Sequence, residues 1–289
     1  MNIAFVFPGQ GSQFVGMGKG FAENLLEQAN EILGFDLQKL CFEGPEDELK
    51  KTEIAQPAIL AVSVAAYNLL VNKGIKADVV AGHSLGQYSA LVAAGAIDFK
   101  DAVKVVHLRG KFMQEAVPLG EGAMSAVLGG QRDEIIKICK AIGGVQPANF
   151  NSPDQVVISG KRLSVEEVGK KIKEAGAKKI IPLQVSAPFH SELMKPAELK
   201  LKEELKKIKI KKTEIPVIDN TTAGYLNSPE EIFDKLVEQV TGSVLWEDSI
   251  RKMIGDGVKL FIEVGPGKVL SGLIKKIDPS VEVKTYAEA

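Results

Sequence analysis

The run Ala77 to Ala81 stops in Gly82-His83-Ser84-Leu85-Gly86 and passes without a break into QYSALVAAGA. The short apolar run reads as a buried strand, and the apolar stretch after it reads as a packed helix. A strand and a helix joined by so few residues must fold back on one another. Such βα units build a parallel sheet flanked by helices. The glycines two residues either side of Ser84 remove side chains that would clash in so tight a bend.

The rest of the chain repeats the alternation. Ile3 to Phe7 is an apolar run stopped by Pro8-Gly9, a second buried strand. Helical spacing follows in FAENLLEQANEIL and in PAILAVSVAAYNLLVNKG, the latter with Pro57 near its start and Gly74 just past its end. A helix from Phe99 to Val117 comes next. After Gly120-Glu121-Gly122 the pattern changes. Ser125 to Leu128, Val145 to Phe150, Val156 to Ser159 and Lys179 to Val185 read as strands, and Asp133 to Ile142 and Ser164 to Ala175 as helices. Ser164 and Glu167 have the spacing of a capping box. The order β-α-β-β-α-β is that of a ferredoxin-like unit. The expected architecture is therefore α/β: a large domain with a mostly parallel sheet at 1–120 and 187–289, and a small inserted domain at 121–186. In the resumed large domain, a Lys-rich helix from Ser191 to Lys207, a strand Pro216 to Asp219, and a strand Leu260 to Val264 ending in Gly265-Pro266-Gly267 are expected.

Composition narrows the function classes. The 289 residues suffice for one large α/β domain or two smaller ones, and 45% hydrophobic with 25% charged residues is ordinary for a globular protein. Lys plus Arg (36) nearly balances Asp plus Glu (37), which argues against a general nucleic-acid or membrane-surface binder. Cys41 and Cys139 are far apart, outside any CxxC or CxxH spacing, so they are expected to pack as small apolar side chains rather than hold zinc or form a disulfide. The opening MNIAFVFPGQ has no basic leader, and the apolar stretch Ala58 to Val71 is interrupted and too short to span a bilayer. A cytoplasmic protein is expected, without a membrane or nucleic-acid partner.

Gly82 to Gly86 fits G-x-S-x-G between strand and helix, the setting that gives this motif chemical meaning. There a serine hydroxyl stands at a helix N-terminus, where the dipole and the N–H of Leu85 favour the negative charge of an acyl-transfer intermediate. The serine needs an imidazole base. His83 adjoins Ser84 on the elbow and points to the other side, and His107 lies inside an amphipathic helix. His190, in a loop ahead of a helix and downstream of Ser84, is the candidate base. No Asp or Glu between the two sits clearly at the end of a large-domain strand, so a Ser–His dyad oriented by backbone carbonyls fits better than a triad. Arg109, one of only four arginines, shares a helical face with Val105 and Met113. An unpaired guanidinium among apolar side chains is costly, so it calls for a carboxylate, either the protein's own or a substrate's. Gly9 to Phe14 lacks the third glycine of a dinucleotide loop, and Gly265-Pro266-Gly267-Lys268 lacks P-loop spacing.

FPGQGSQ at 7–13, GHSLG at 82–86, LRGKFMQ at 108–114, NSPDQVVISG at 151–160, PFH at 188–190 and EVGPGKVL at 263–270 occur in an order and spacing that resembles the malonyl-CoA:acyl carrier protein transacylases from end to end. The resemblance implies an α/β-hydrolase-like domain with an inserted ferredoxin-like domain, and a ping-pong reaction through an ester on Ser84. It implies His190 as base, the backbone N–H groups of Gln10 and Leu85 as oxyanion hole, Arg109 as clamp on the malonyl carboxylate, and Met113 and Phe189 as pocket lining. It also implies a backbone carbonyl at Leu245 that orients His190. No tightly bound cofactor is implied, with malonyl-CoA and CoA as substrate and product. The implied partner is acyl carrier protein with its phosphopantetheine arm, met by a monomer, and exposed Lys268, Lys275 and Lys276 are candidates to face an acidic carrier. Two positions depart from the family pattern: Gln87 stands where GHSLGE has glutamate, and Leu245 precedes Trp246 where glutamine or arginine is usual. A serine thioesterase or esterase, an acyltransferase serving malonate decarboxylase or polyketide systems, and a catalytically inert carrier-binding module are the competing readings.

Overall fold

The computed structural model describes residues 2–185 and 187–289, so the expected boundary at residue 186 lies outside the described residues. Its strands are β1 (Ile3–Phe7), β2 (Val79–Gly82), β3 (Gly122–Leu128), β4 (Val145–Ser152), β5 (Gln155–Lys161), β6 (Lys179–Pro182), β7 (Val217–Ile218), β8 (Leu260–Glu263) and β9 (Glu282–Thr285). Five of them form one sheet in the order β7-β2-β1-β8-β9, parallel throughout, as the βα elbow demands. The other four form an antiparallel sheet in the order β4-β5-β3-β6, the ferredoxin-like arrangement expected of the middle segment.

Both faces of the parallel sheet are covered, so its strands are apolar throughout. Phe5, Phe7 and Val80 pack with the helix Thr52–Asn72 in the main core. Ala4, Val6, Val79 and Ala81 point the opposite way, against Trp246, Ile250 and Ile274. The small sheet has a core of its own, in which Val127, Val145 and Ile158 meet the helices Arg132–Ile142 and Arg162–Glu174 through Ile135, Cys139, Val165 and Ile172. Burial pushes the thiols of Cys41 and Cys139 up to about 12, so both pack as inert apolar side chains.

Several elements differ from the sequence reading. β2 begins at Val79, not Ala77, because Asp78 is used to anchor the start of β1: its carboxylate accepts from the N–H groups of Asn2 (2.7 Å) and Ile3 (3.0 Å). The helix over the main core starts at Thr52, which places Pro57 inside it. Proline has no N–H to give the carbonyl four residues back, that of Glu53, and His107 Nδ1 donates to that oxygen instead at 2.8 Å. This helix is long and apolar enough to cross a bilayer, so length does not exclude a span as expected; its most apolar window is 78% buried within the protein. The capping box at Ser164 does not form. β5 runs directly into the helix at Arg162, leaving Ser164 in its first turn and Lys161 as the cap. The Lys-rich helix is Lys195–Leu205, preceded by a 3₁₀ turn at Glu192–Met194, and β6 and β7 are shorter than the apolar runs that contain them. The polar edge strand β9 carried no apolar signal; it forms by parallel pairing to β8.

Candidate active site

β1 and β2 lie side by side at the middle of the parallel sheet, and their carboxyl ends open into the cleft, where sheets of this kind place ligands. From β2 the chain turns at Ser84 into the helix Gly86–Ala93. The turn leaves no room for side chains. A Cβ on Gly82 would meet Gly86 at 1.9 Å, and one on Gly86 would meet the Phe7 carbonyl oxygen at 2.0 Å. Ser84 itself is held at φ 50°, a left-handed conformation that a serine adopts only at a cost. Its N–H donates to Asn220 Oδ1 at 2.7 Å, while Asn220 Nδ2 donates to the Gly82 carbonyl at 2.7 Å, clamping the elbow from β7's side.

Ser84 Oγ and His190 Nε2 are 2.7 Å apart. His190, also left-handed at φ 56°, has Nδ1 2.9 Å from the Gln239 carbonyl and 3.2 Å from that of Gly242. Two acceptors at Nδ1 require the proton there, which leaves Nε2 bare to accept from the serine. Backbone carbonyls thus hold the imidazole beside Ser84, but that of the expected Leu245 is not among them. The Leu245 carbonyl accepts from the N–H (2.9 Å) and Oγ (2.7 Å) of Ser249, because Leu245 caps the helix Trp246–Gly255, and Gln239 and Gly242 do the orienting. Burial first, and then the charge of Arg109, push the His190 imidazole down to about 3. It is neutral at ordinary pH.

The other two histidines are engaged elsewhere. His107 serves the Pro57 gap, and His83 lies on Asn151 Oδ1 (2.9 Å) and against the Trp246 ring.

Arg109 is 2% exposed. Its Nη1 donates to Gln56 Oε1 at 2.9 Å, and its Nη2 to Gln239 Oε1 and Ser84 Oγ, both at 3.1 Å. Among the described residues it makes no ion pair, and its Nε is buried with no hydrogen-bond partner. None of the protein's own carboxylates among the described residues supplies a counter-charge.

Ser84, His190 and Arg109 open into a cavity of about 610 Å³, which Gln10, Leu85, Met113 and Phe189 also line. The N–H groups of Gln10 and Leu85 donate to no other group among the described residues. Gln56 was absent from the sequence reading; it is fixed between Arg109 and the Met113 sulfur. Gln239 was missed too, since a glutamine near a helix end carries no sequence signal. The EVGPGKVL motif has a structural use. Glu263 is fully buried, and its carboxylate accepts from Leu270 N (3.0 Å), Ser271 N and Ser271 Oγ (both 2.7 Å), capping the helix Val269–Ile277. Among the described residues no cluster of three or more His, Cys, Asp or Glu is placed to hold a metal.

Residues 4–287 match the acyl transferase domain family, and the chain belongs to it. Its relatives within that class include malonyl transacylases. It is 51% identical over 287 residues to the malonyl CoA-acyl carrier protein transacylase of Bacillus subtilis, covering 96% of this chain and 90% of the relative. The acyl carrier protein S-malonyltransferase of Vibrio cholerae has the same fold, with a TM-score of 0.96 and 45% identity over 99% of this chain and 96% of that one. A malonyl-transacylase solved in complex with its type II PKS acyl-carrier protein matches with a TM-score of 0.94 and 45% identity, over 99% of this chain and 95% of that one.

Proposed function

We propose that the protein transfers the malonyl group of malonyl-CoA to the phosphopantetheine thiol of an acyl carrier protein, for fatty acid synthesis. One observation carries the reading: a buried guanidinium with no ion pair among the described residues stands 3.1 Å from the Ser84 hydroxyl oxygen. An acyl group on Ser84 that ends in a carboxylate supplies the missing charge, and an acetyl group does not.

In the first half-reaction, His190 Nε2 takes the Ser84 hydroxyl proton as Oγ attacks the thioester carbonyl. The oxyanion falls to the N–H groups of Gln10 and Leu85, donors of a kind worth roughly 3–4 kcal/mol of barrier each. The C–S bond breaks, the CoA sulfur receives the proton from His190, and malonyl stays on Ser84 as an ester. In the second half, the carrier's thiol gives its proton to His190 and attacks the ester, and Ser84 regains the proton as the new thioester leaves. His190 is held at Nδ1 by carbonyls rather than by a carboxylate, which supports a dyad enzyme over a triad esterase. Residues 121–186 are read as the inserted domain that forms one wall of the cleft. Of the lysines considered for the carrier, Lys275 is tied to the Val281 carbonyl (2.6 Å) and Lys276 lies 3.6 Å from Asp154, while Lys268 stands exposed at the head of its helix.

The test is intact-mass measurement after mixing with malonyl-CoA or acetyl-CoA. A single malonyl adduct on Ser84, absent in Ser84→Ala and discharged by a phosphopantetheinylated carrier, is expected. Arg109→Ala should lower the preference for malonyl over acetyl loading by roughly two orders of magnitude, the worth of a buried charge contact. Steady CoA release without an adduct would make the protein a thioesterase.

A further inference from the structure

Behind the elbow lies a chain of buried polar side chains with a charge at each end. Asp219, 1% exposed, accepts at one carboxylate oxygen from the N–H and hydroxyl groups of Thr221 and Thr222, at 2.8–3.0 Å. Its other oxygen accepts from Gln87 Nε2 at 3.2 Å. Gln87 Oε1 accepts in turn from Gln239 Nε2 at 2.9 Å and from Asn220 N at 3.1 Å. Gln239 Nε2 also reaches the Ser84 carbonyl (3.2 Å) and Asn220 Oδ1 (3.1 Å), and Gln239 Oε1 accepts from Arg109. Gln87 and Gln239 are both fully buried.

An amide has an oxygen end and an NH₂ end, and in a closed chain the termini decide which way each one faces. A carboxylate only accepts, so Gln87 must show Asp219 its NH₂ and turn its oxygen to Gln239. Gln239 must then answer with its own NH₂, and its oxygen is left facing Arg109. We infer that Asp219 and Gln87 are positioning residues for Arg109: the carboxylate fixes the polarity of the two-glutamine relay, and with it the site's preference for a carboxylate-bearing acyl group. The inference rests on the reading of Arg109 as the acyl-carboxylate clamp. It also gives Gln87, where the related motif has glutamate, a defined task. The acceptor facing Gln239 is kept, and the formal charge sits one residue further back, on Asp219.

The tests are Asp219→Asn, Gln87→Met and the exchange Gln87→Glu/Asp219→Asn, read as initial rates of malonyl and acetyl loading on Ser84 with KM and kcat separated. Asp219→Asn replaces the acceptor-only end by a group that can also donate, so that only the Asn220 N–H still holds the Gln87 amide and it can turn over to present NH₂ to NH₂ at Gln239. The malonyl-over-acetyl ratio should fall at least about tenfold, the worth of one hydrogen bond to a charged group. The double exchange restores an acceptor-only group facing Gln239 with a donor behind it, so it should recover most of the ratio. A merely structural role for Asp219 would lower both acyl rates together and would not be rescued. If Asp219→Asn fails to fold, Gln87→Met carries the test, because it removes the relay and leaves the Asp219 turn intact. A wild-type ratio in Gln87→Met, or no recovery in the double exchange, overturns the relay. Arg109→Ala is run alongside. If it leaves the ratio unchanged, the clamp reading itself is lost; if it abolishes the ratio while the relay variants do not alter it, only the relay is wrong.

Discussion

Ser84 and His190 both hold left-handed backbone conformations, at φ 50° and 56°, and sit 2.7 Å apart across 106 positions of sequence. Strain of this kind costs about 1–3 kcal/mol per residue and persists only where the surroundings impose it. For Ser84 the surroundings are two glycines and the Asn220 clamp. Gly86→Ala places a methyl group 2.0 Å from the Phe7 carbonyl oxygen, and neither backbone can move without opening the elbow. The variant should lose roughly 3 kcal/mol of stability by denaturant titration, together with Ser84 acylation. A stable, acylating Gly86→Ala would show that the elbow tolerates far more movement than the contact implies. At this scale much was legible. A serine in that turn and an arginine on an apolar face each have a local sequence signature, whereas His190 was reached by eliminating the other two histidines. The carbonyls of Gln239 and Gly242 have none, because every residue except its partners' geometry offers the same carbonyl.

The element that carries those carbonyls is the segment 239–245, and it is held from two directions. On one side it continues the small sheet: the N–H of Phe150 donates to the Val244 carbonyl (2.9 Å), that of Val244 to the Ala148 carbonyl (2.8 Å), and Ser243 Oγ to the Pro147 carbonyl (2.7 Å). Gln146 of β4 bridges further, giving Nε2 to the Thr241 carbonyl at 3.0 Å and accepting from the N–H of Glu192, two residues past His190, at 3.1 Å. On the other side, Thr241 Oγ1 donates to Glu198 Oε2 on the helix Lys195–Leu205 at 2.7 Å. Thr241→Val keeps the shape and removes that bond. It should lower stability by about 1.5–3 kcal/mol and lower kcat with KM for malonyl-CoA little changed, since the histidine rather than the cleft loses its support. An unaltered kcat would mean that the sheet side alone fixes the loop. The alternation of strands and helices was readable from apolar periodicity, but this seam was not, since it joins elements far apart in sequence by backbone bonds that side-chain identity does not encode.

For the molecule as a whole, the buried neutral histidines set an acid limit. In the unfolded chain His190 protonates near its ordinary value of 6.5, whereas burial and Arg109 hold it at about 3 in the fold. Between those values the unfolded state binds the extra proton, so stability should fall as pH drops from 6.5 toward 3. His83, also pushed down by burial, adds in the same direction. Urea titrations at pH 7 and pH 4 should show a smaller loss for His190→Asn than for the wild type. Equal losses would mean that His190 takes up a proton in the fold as readily as in the unfolded chain. The same neutrality should keep the Ser84 acylation rate flat through the region where a solvent-exposed histidine would titrate.

By itself the sequence determined the parallel sheet, the order of the middle segment, and Ser84 as the candidate nucleophile, because each depends on local spacing; His190 followed by elimination, and the role of Arg109 through the family resemblance. Only the tertiary structure decided that Gln239 and Gly242, and not Leu245, hold His190, that His107 fills the gap left by Pro57, and that Gln56, Gln87, Gln239 and Asp219 close around Arg109. Carbonyls and amides are present all along the chain, and which of them meet is fixed by the packing of strands and helices distant in sequence.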